Sequence, residues 1–195
     1  VAVFSDNSFL VTRRGPNNTS ALDPDNAILD CTGQDSITSA IPLSGFQPTG
    51  NGIYSIDQMS GVTTFTSSST DFIIIRDSPS FGFKVEWFVY DQTKGTYNPK
   101  FLPEDNVDIL NNQLDSPEGI CVDPSSNVYV VDNKLDSLFK YTSAGELKSE
   151  SFGGAGSGTN QLQGPQGVSF FNKVLYIADT ENDRIVRYRL STELQ

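Results

Sequence analysis

The stretch Leu162-Gln163-Gly164-Pro165-Gln166-Gly167-Val168-Ser169-Phe170, with Lys173-Val174-Leu175-Tyr176-Ile177-Ala178-Asp179-Thr180 after it, is written twice in this sequence. The other copy is Leu114-Asp115-Ser116-Pro117-Glu118-Gly119-Ile120-Cys121-Val122-Asp123, followed by Asn127-Val128-Tyr129-Val130-Val131-Asp132-Asn133. Pro117 matches Pro165 and Gly119 matches Gly167 at an offset of 48 residues, while Tyr129 matches Tyr176 and Asp132 matches Asp179 at 47. A fixed period of this length marks an architecture in which each copy buries a face on the next. In each copy a proline, with glycine two residues on, turns the chain tightly into a first apolar strand. A second strand (128–131 and 175–178) ends on an aspartate, whose carboxylate can accept N–H groups of the following turn. Leu138-Phe139-Lys140-Tyr141 and Arg184-Ile185-Val186-Arg187-Tyr188 read as third strands that alternate apolar and basic residues. The glycine-rich run 153–158 connects the copies and lacks the Gly-Lys-Ser/Thr of a phosphate-binding loop.

A period of 47 to 48 residues is the length of one four-stranded β-propeller blade. Asp179-Thr180-Glu181-Asn182-Asp183-Arg184-Ile185 is close to an Asp-Thr-x-Asn-x-Arg-Ile signature, and the repeated stretch resembles the NHL repeats of a β-propeller family. Asp183 stands where that family often has histidine, and Ser137 takes the arginine position in the first copy. The resemblance implies two blades, 113–160 and 161–195, with Pro117, Gly119, Asp132, Pro165, Gly167, Asp179 and Arg184 as the structural residues of the repeat. Two blades do not close a propeller, which takes roughly four to eight. Either the sequence is part of a longer protein, or the N-terminal strands supply divergent blades, or neighbouring subunits cover the open faces.

Upstream, residues 1–91 read as a set of strands: 1–11, 27–29, 52–56, 61–66, 71–76 and 81–90. Phe72-Ile73-Ile74-Ile75 is apolar on successive residues, so both faces of that strand are expected to be buried. In 82–89, Phe83, Val85 and Trp87 are expected on one side, Lys84 and Glu86 on the other. The Ser-rich turn 67–70, the apolar strand ending in Arg76-Asp77-Ser78 and the run Gly82-Phe83-Lys84-Val85 resemble the second half of a CUB domain, an extracellular β-sandwich. The expected fold is therefore all-β: a β-sandwich over 1–91, possible CUB-like, a turn-rich linker over 92–112, and two NHL-type blades over 113–195. The sole helix candidate is a short turn near 103–111.

Composition narrows the function. Twenty-four acids against 13 bases give a net charge of −11, which disfavours nucleic acid and anionic membranes as partners. No run reaches the roughly 18–20 apolar residues of a membrane span. Histidine is absent, so Ser-His-Asp and Cys-His arrangements and histidine-bound catalytic zinc cannot be built from this sequence. The resemblance brings in propellers that cleave peptidyl hydroxyglycines through histidine-bound zinc, a site missing here, and related propellers that hydrolyse lactones with calcium. The acidic runs Asp23-Pro24-Asp25-Asn26 and Glu181-Asn182-Asp183 do not have EF-hand spacing; calcium stays open as a ligand, and no other cofactor is expected. Overlapping sequons at Asn17 and Asn18 point to a glycosylated, secreted chain. Cys31 and Cys121 form one long-range disulfide or remain two buried thiols. These readings lead to a non-enzymatic extracellular glycoprotein that self-associates into a filament or other assembly. The alternative is a propeller module that binds a protein or glycan in adhesion, and a third, weaker reading is a calcium-dependent hydrolase.

Overall fold

A computed structural model describes residues 1–13, 27–34, 36–41, 48–49, 53–54, 58–77, 83–110, 114–149 and 151–190. They are all-β: seventeen strands and three 3-10 turns, Pro103–Asp105, Asp108–Leu110 and Thr180–Asn182, with no α-helix among the described residues. Contacts divide the chain into two units, Val1–Asn106 and Val107–Gln195.

In the first unit, β1 (Ala2–Val3), β2 (Phe9–Arg13), β3 (Ala27–Cys31) and β4 (Ile37–Ala40) form an antiparallel sheet in chain order. A short hairpin of β5 (Pro48–Thr49) and β6 (Ile53–Tyr54) follows. Then β7 (Met59–Thr64), β8 (Phe72–Arg76), β9 (Val85–Asp91) and β10 (Thr96–Pro99) form a second four-stranded meander. In the second unit, β11 (Pro117–Val122), β12 (Val128–Asp132), β13 (Ser137–Tyr141) and β14 (Phe152–Gly153) make a third meander. β15 (Pro165–Phe171), β16 (Val174–Asp179) and β17 (Arg184–Arg189) make a fourth sheet of three strands. Four consecutive meanders, two in each unit, are the blades of a β-propeller fold.

The N-terminal β-sandwich, with its CUB-like second half, is therefore corrected: the first unit contributes two divergent blades. Every strand in these sheets pairs with its neighbour in sequence, with no crossing between sheets of the kind a Greek-key sandwich requires. The second meander also carries the bulge of the repeat. Its register slips between Met59 and Gly61, where Met59 faces Arg76. The third slips between Pro117 and Gly119, where Pro117 faces Asp132. Residues 96–99, expected in a linker, are the last strand of the second blade.

The first unit buries Leu10, Ile28, Met59, Phe72, Ile74 and Phe88 between its two sheets. All of Phe72 to Ile75 is inaccessible, as a strand covered on both faces requires. Glu86, on the opposite side of the strand from Val85 and Trp87, is buried and pairs with buried Arg76 at 2.9 Å, while Arg76 Nε donates to the Phe83 carbonyl. A strand lying between two covered faces leaves its polar residue no exit, so it is matched by a charge of opposite sign. The two cysteines are not bonded to each other. Cys31 packs with Ala27 and Leu29, and Cys121 with Tyr129 and Val131; burial, helped by Asp123, pushes the Cys121 thiol up to about 12.

In the second unit, the first strands of adjacent blades approach closely. A Cβ on Gly119 would lie 2.8 Å from the Gly167 Cα and 2.9 Å from the Val168 nitrogen, both backbone. On Gly167 it would meet only the Ala178 Cβ, at 3.7 Å. Gly119→Ala is therefore expected to cost about 1–3 kcal/mol of overpacking, and Gly167→Ala under about 1 kcal/mol. Chemical denaturation of the two variants side by side checks this; equal costs would mean that the close approach does not constrain the blades.

Candidate functional site

The repeat residues are brought together around two buried carboxylates. Asp132, at the end of β12, accepts backbone N–H groups from Asp115 (2.6 Å), Ser116 (3.0 Å), Lys134 (3.1 Å) and Leu135 (3.0 Å). Asp179, at the end of β16, accepts from the Gln163 N–H (2.6 Å), Asn182 Nδ2 (2.9 Å) and Arg184 Nε (2.7 Å). Both aspartates are fully buried, and each ties the segment entering the first strand to the turn leaving the second. The rest of the Arg184 guanidinium donates to the carbonyls of Ser157 and Gln161, at 2.7 and 2.9 Å, and so holds the 157–161 loop against β17. Pro117 and Pro165 stand opposite these aspartates, each at the start of its bulge. These residues form a scaffold, and their chemistry is consumed in holding it.

An exposed surface lies on the last blade. Register and alternation put Gly167, Ser169 and Phe171 of β15, Val174, Tyr176 and Ala178 of β16, and Ile185, Arg187 and Arg189 of β17 on one face. The repeat offset makes Cys121, Tyr129, Val131 and Leu138 of the preceding blade the equivalents of Ser169, Tyr176, Ala178 and Ile185. Those four are buried, in a core shared with Leu175, Ile177, Val186 and Tyr188 from the opposite face of the last blade. On the last blade the equivalent face is open: Ile185 is 64% exposed and Phe171 71%. Between this blade's outer strand and the 157–161 loop runs an open groove of about 610 Å³, lined along β17 from Arg184 to Arg189. Sequence reading assigned the third-strand pattern but missed this face. Ile185 occupies an ordinary blade-core position, and nothing local distinguishes it from Leu138.

Other expected sites fare differently. Asn17, Asn18 and the acidic run at 23–26 lie outside the described residues. Among the described residues no group of three or more acidic, cysteine or histidine side chains is arranged to hold a metal ion. Asn182 is engaged by Asp179 and the Gly156 carbonyl. No helix among the described residues is long and apolar enough to cross a membrane.

No family model matches the chain, and no curated protein matches it in sequence. Solved structures do resemble it. A catalytically inactive histidine-to-alanine variant of virginiamycin B lyase from Staphylococcus aureus, with quinupristin, aligns over 98% of this chain and 55% of its own. The TM-score is 0.52 and the identity 14%. A gluconolactonase from Xanthomonas campestris aligns over 90% of this chain and 51% of its own, with a TM-score of 0.52 and 13% identity. An auxiliary nutrient-binding protein from Bacteroides thetaiotaomicron aligns over 83% of this chain and 42% of its own, with a TM-score of 0.53 and 16% identity. This chain thus spans about half the length of the structures it resembles, and the likeness is one of β-propeller fold. It overturns the expectation of a protein outside enzymology: the shared fold is enzyme-capable, and structures that share it include a lyase and a lactonase.

Burial pushes the Asp179 carboxyl up, but hydrogen bonds from Gln163, Asn182 and Arg184, with the arginine's charge, outweigh it and hold the group below the ordinary 3.8. A folded value below the unfolded one means that the ionised form stabilises the fold above about pH 4, and that this contribution is lost as the pH falls through the folded value. Asp179→Asn should therefore destabilise the protein at neutral pH and flatten the loss of thermal stability below about pH 4. Asp132→Ala, which orphans buried N–H groups, should cost about 3 kcal/mol at neutral pH. Melting curves between pH 2 and 7 check both. An Asp179→Asn curve parallel to the parent's would show that this carboxylate does not drive the acid transition.

Proposed function

We propose that this chain is a propeller subunit that works through protein–protein contact, its last two blades being NHL-type repeats. The observation that carries the reading is the open face of the last blade. Cys121, Tyr129, Val131 and Leu138 are covered by the next blade, whereas among the described residues Ser169 and Ile185 at the same positions are exposed and Tyr176 and Ala178 are half-buried. A face built on the plan of a blade-to-blade contact is best covered by another blade-like surface, which a further blade or a partner subunit can supply. Such a contact joins unlike surfaces; repeated from subunit to subunit it grows a filament where the rotation does not close, and a ring where it does. The NHL assignment is supported by Asp179, Asn182 and Arg184, three of the five signature residues, meeting in one hydrogen-bonded cluster. An extracellular, glycosylated setting is part of the proposal, and rests on the sequons at Asn17 and Asn18.

Phe171→Glu and Ile185→Glu each place a carboxylate on the exposed face without touching the core. Both should shift the protein toward monomers in sedimentation velocity while leaving its melting temperature within a few degrees of the parent's. A parent that is monomeric at all accessible concentrations would refute self-assembly.

A further inference from the structure

We propose that the outer part of the seam between the first two blades, where Tyr90 and Tyr97 face Asp30, is a binding site for a neutral saccharide. It lies wholly in the first unit and does not rest on the assembly reading, which concerns the last blade.

Register puts these groups on facing sides of the seam. Leu10 and Asp30 are cross-strand partners, so their side chains stand on one face of the first blade. Leu10 packs in the core to which the second blade contributes Phe72 and Phe88. In the second blade Phe88 pairs with Pro99, and two residues along each strand Tyr90 pairs with Tyr97, so both tyrosines continue the face of Phe88 outward. Tyr97 is half-buried against that core, with its ring centroid 5.2 Å from that of Phe72. Tyr90 lies 5.0 Å from Tyr97, its ring inclined at 53°, and is 38% exposed. A bulge in the pairing of β3 with β4 brings the exposed Thr38 hydroxyl within 3.0 Å of Asp30 Oδ2. Each of the two blades has its four strands, and the seam between them is internal to the unit.

Burial, then the charge of Asp30, pushes the Tyr97 phenol up to about 12, with Tyr90 and Asp71 adding less. The Tyr97 hydroxyl therefore keeps its proton in neutral solution. Among the described residues nothing hydrogen-bonds the Tyr90 or Tyr97 hydroxyl, and Thr38 is the side chain that donates to Asp30.

These open groups name the occupant. A phenol both donates and accepts, whereas a carboxylate only accepts. An anion is repelled by Asp30. An ammonium ion offers donors alone, or none when fully alkylated, and would leave the phenol protons unmatched once water is displaced. A sugar hydroxyl both donates and accepts, so it can give its hydrogen to Asp30 and take one from Tyr97. The C–H face of a pyranose ring is apolar and flat, and the exposed ring of Tyr90 gives it a matching surface. Apolar area with a few placed polar groups is the general make-up of a small-molecule site.

The probes are the methyl glycosides of glucose, galactose, mannose and N-acetylglucosamine, each titrated into the full chain and followed by saturation-transfer NMR and by tyrosine ring shifts. At least one is expected to bind, with transfer strongest to the C–H protons of one ring face and with shifts at Tyr90 and Tyr97. Tyr90→Ala should weaken binding about tenfold, whereas Tyr90→Phe, which keeps the ring, should weaken it by less than about threefold. Asp30→Asn should weaken it about tenfold and Tyr97→Phe about threefold to tenfold. Tetramethylammonium and glucuronate should bind more weakly than the neutral glycosides. Absence of binding by all four glycosides would overturn the proposal. So would equal binding by the parent, Tyr90→Ala and Asp30→Asn, or tighter binding of tetramethylammonium, which would assign the seam to a cation.

Discussion

A buried aspartate at the end of the second strand organises each of the last two blades. A carboxylate is an acceptor without donors, and it satisfies several N–H groups that a tight turn and an incoming loop would otherwise leave bare. Asp132 meets four backbone N–H groups in this way. Asp179 meets one backbone N–H and reaches the following turn through Asn182 and Arg184. Because each carboxylate joins chain some sixteen residues apart, it fixes where the first strand begins relative to the second. The proline-to-glycine bulge follows from that anchor.

The bulge in turn brings Gly119 against the backbone of Gly167 and Val168. A side chain there would push the two first strands apart, so the absence of a Cβ sets how closely adjacent blades stack. That stacking places Cys121, Tyr129, Val131 and Leu138 against Val168, Leu175, Ile177 and Val186. The same local plan then carries forward into the last blade and arrives at a face with nothing described upon it. The exposed face is a product of the repeat, and no residue type was needed to announce it.

This is also why the sequence was legible in some places and opaque in others. Where Pro, Gly and Asp sit at the bulge and strand end, as at 117, 119 and 132, the blade could be read directly. In the second blade the strand-end position holds Arg76, which turns to buried Glu86, and the proline position holds Met59. A pair of opposite charges replaces the single carboxylate, so the signature vanishes although the bulge survives. Alternation does not reveal the burial of Glu86: period-two reading assumes one wet face, and β9 has none at that point. The open face escaped notice because burial of a blade position depends on the neighbouring blade.

The side chains on that face have nonetheless diverged from those of the covered one. Cys121 and Val131 are replaced by Ser169 and Ala178, smaller or more polar, and arginines stand at 187 and 189 where the preceding blade has Lys140 and Thr142. Ile185 and Phe171, the latter where the preceding blade has Asp123, are exposed apolar anchors. A permanently buried blade core would favour close-packed apolar residues throughout, whereas interfaces that form between separate proteins concentrate a few large anchors inside a polar, arginine-rich surround. The composition of the last blade is nearer the second pattern, which supports the proposed contact with a protein partner.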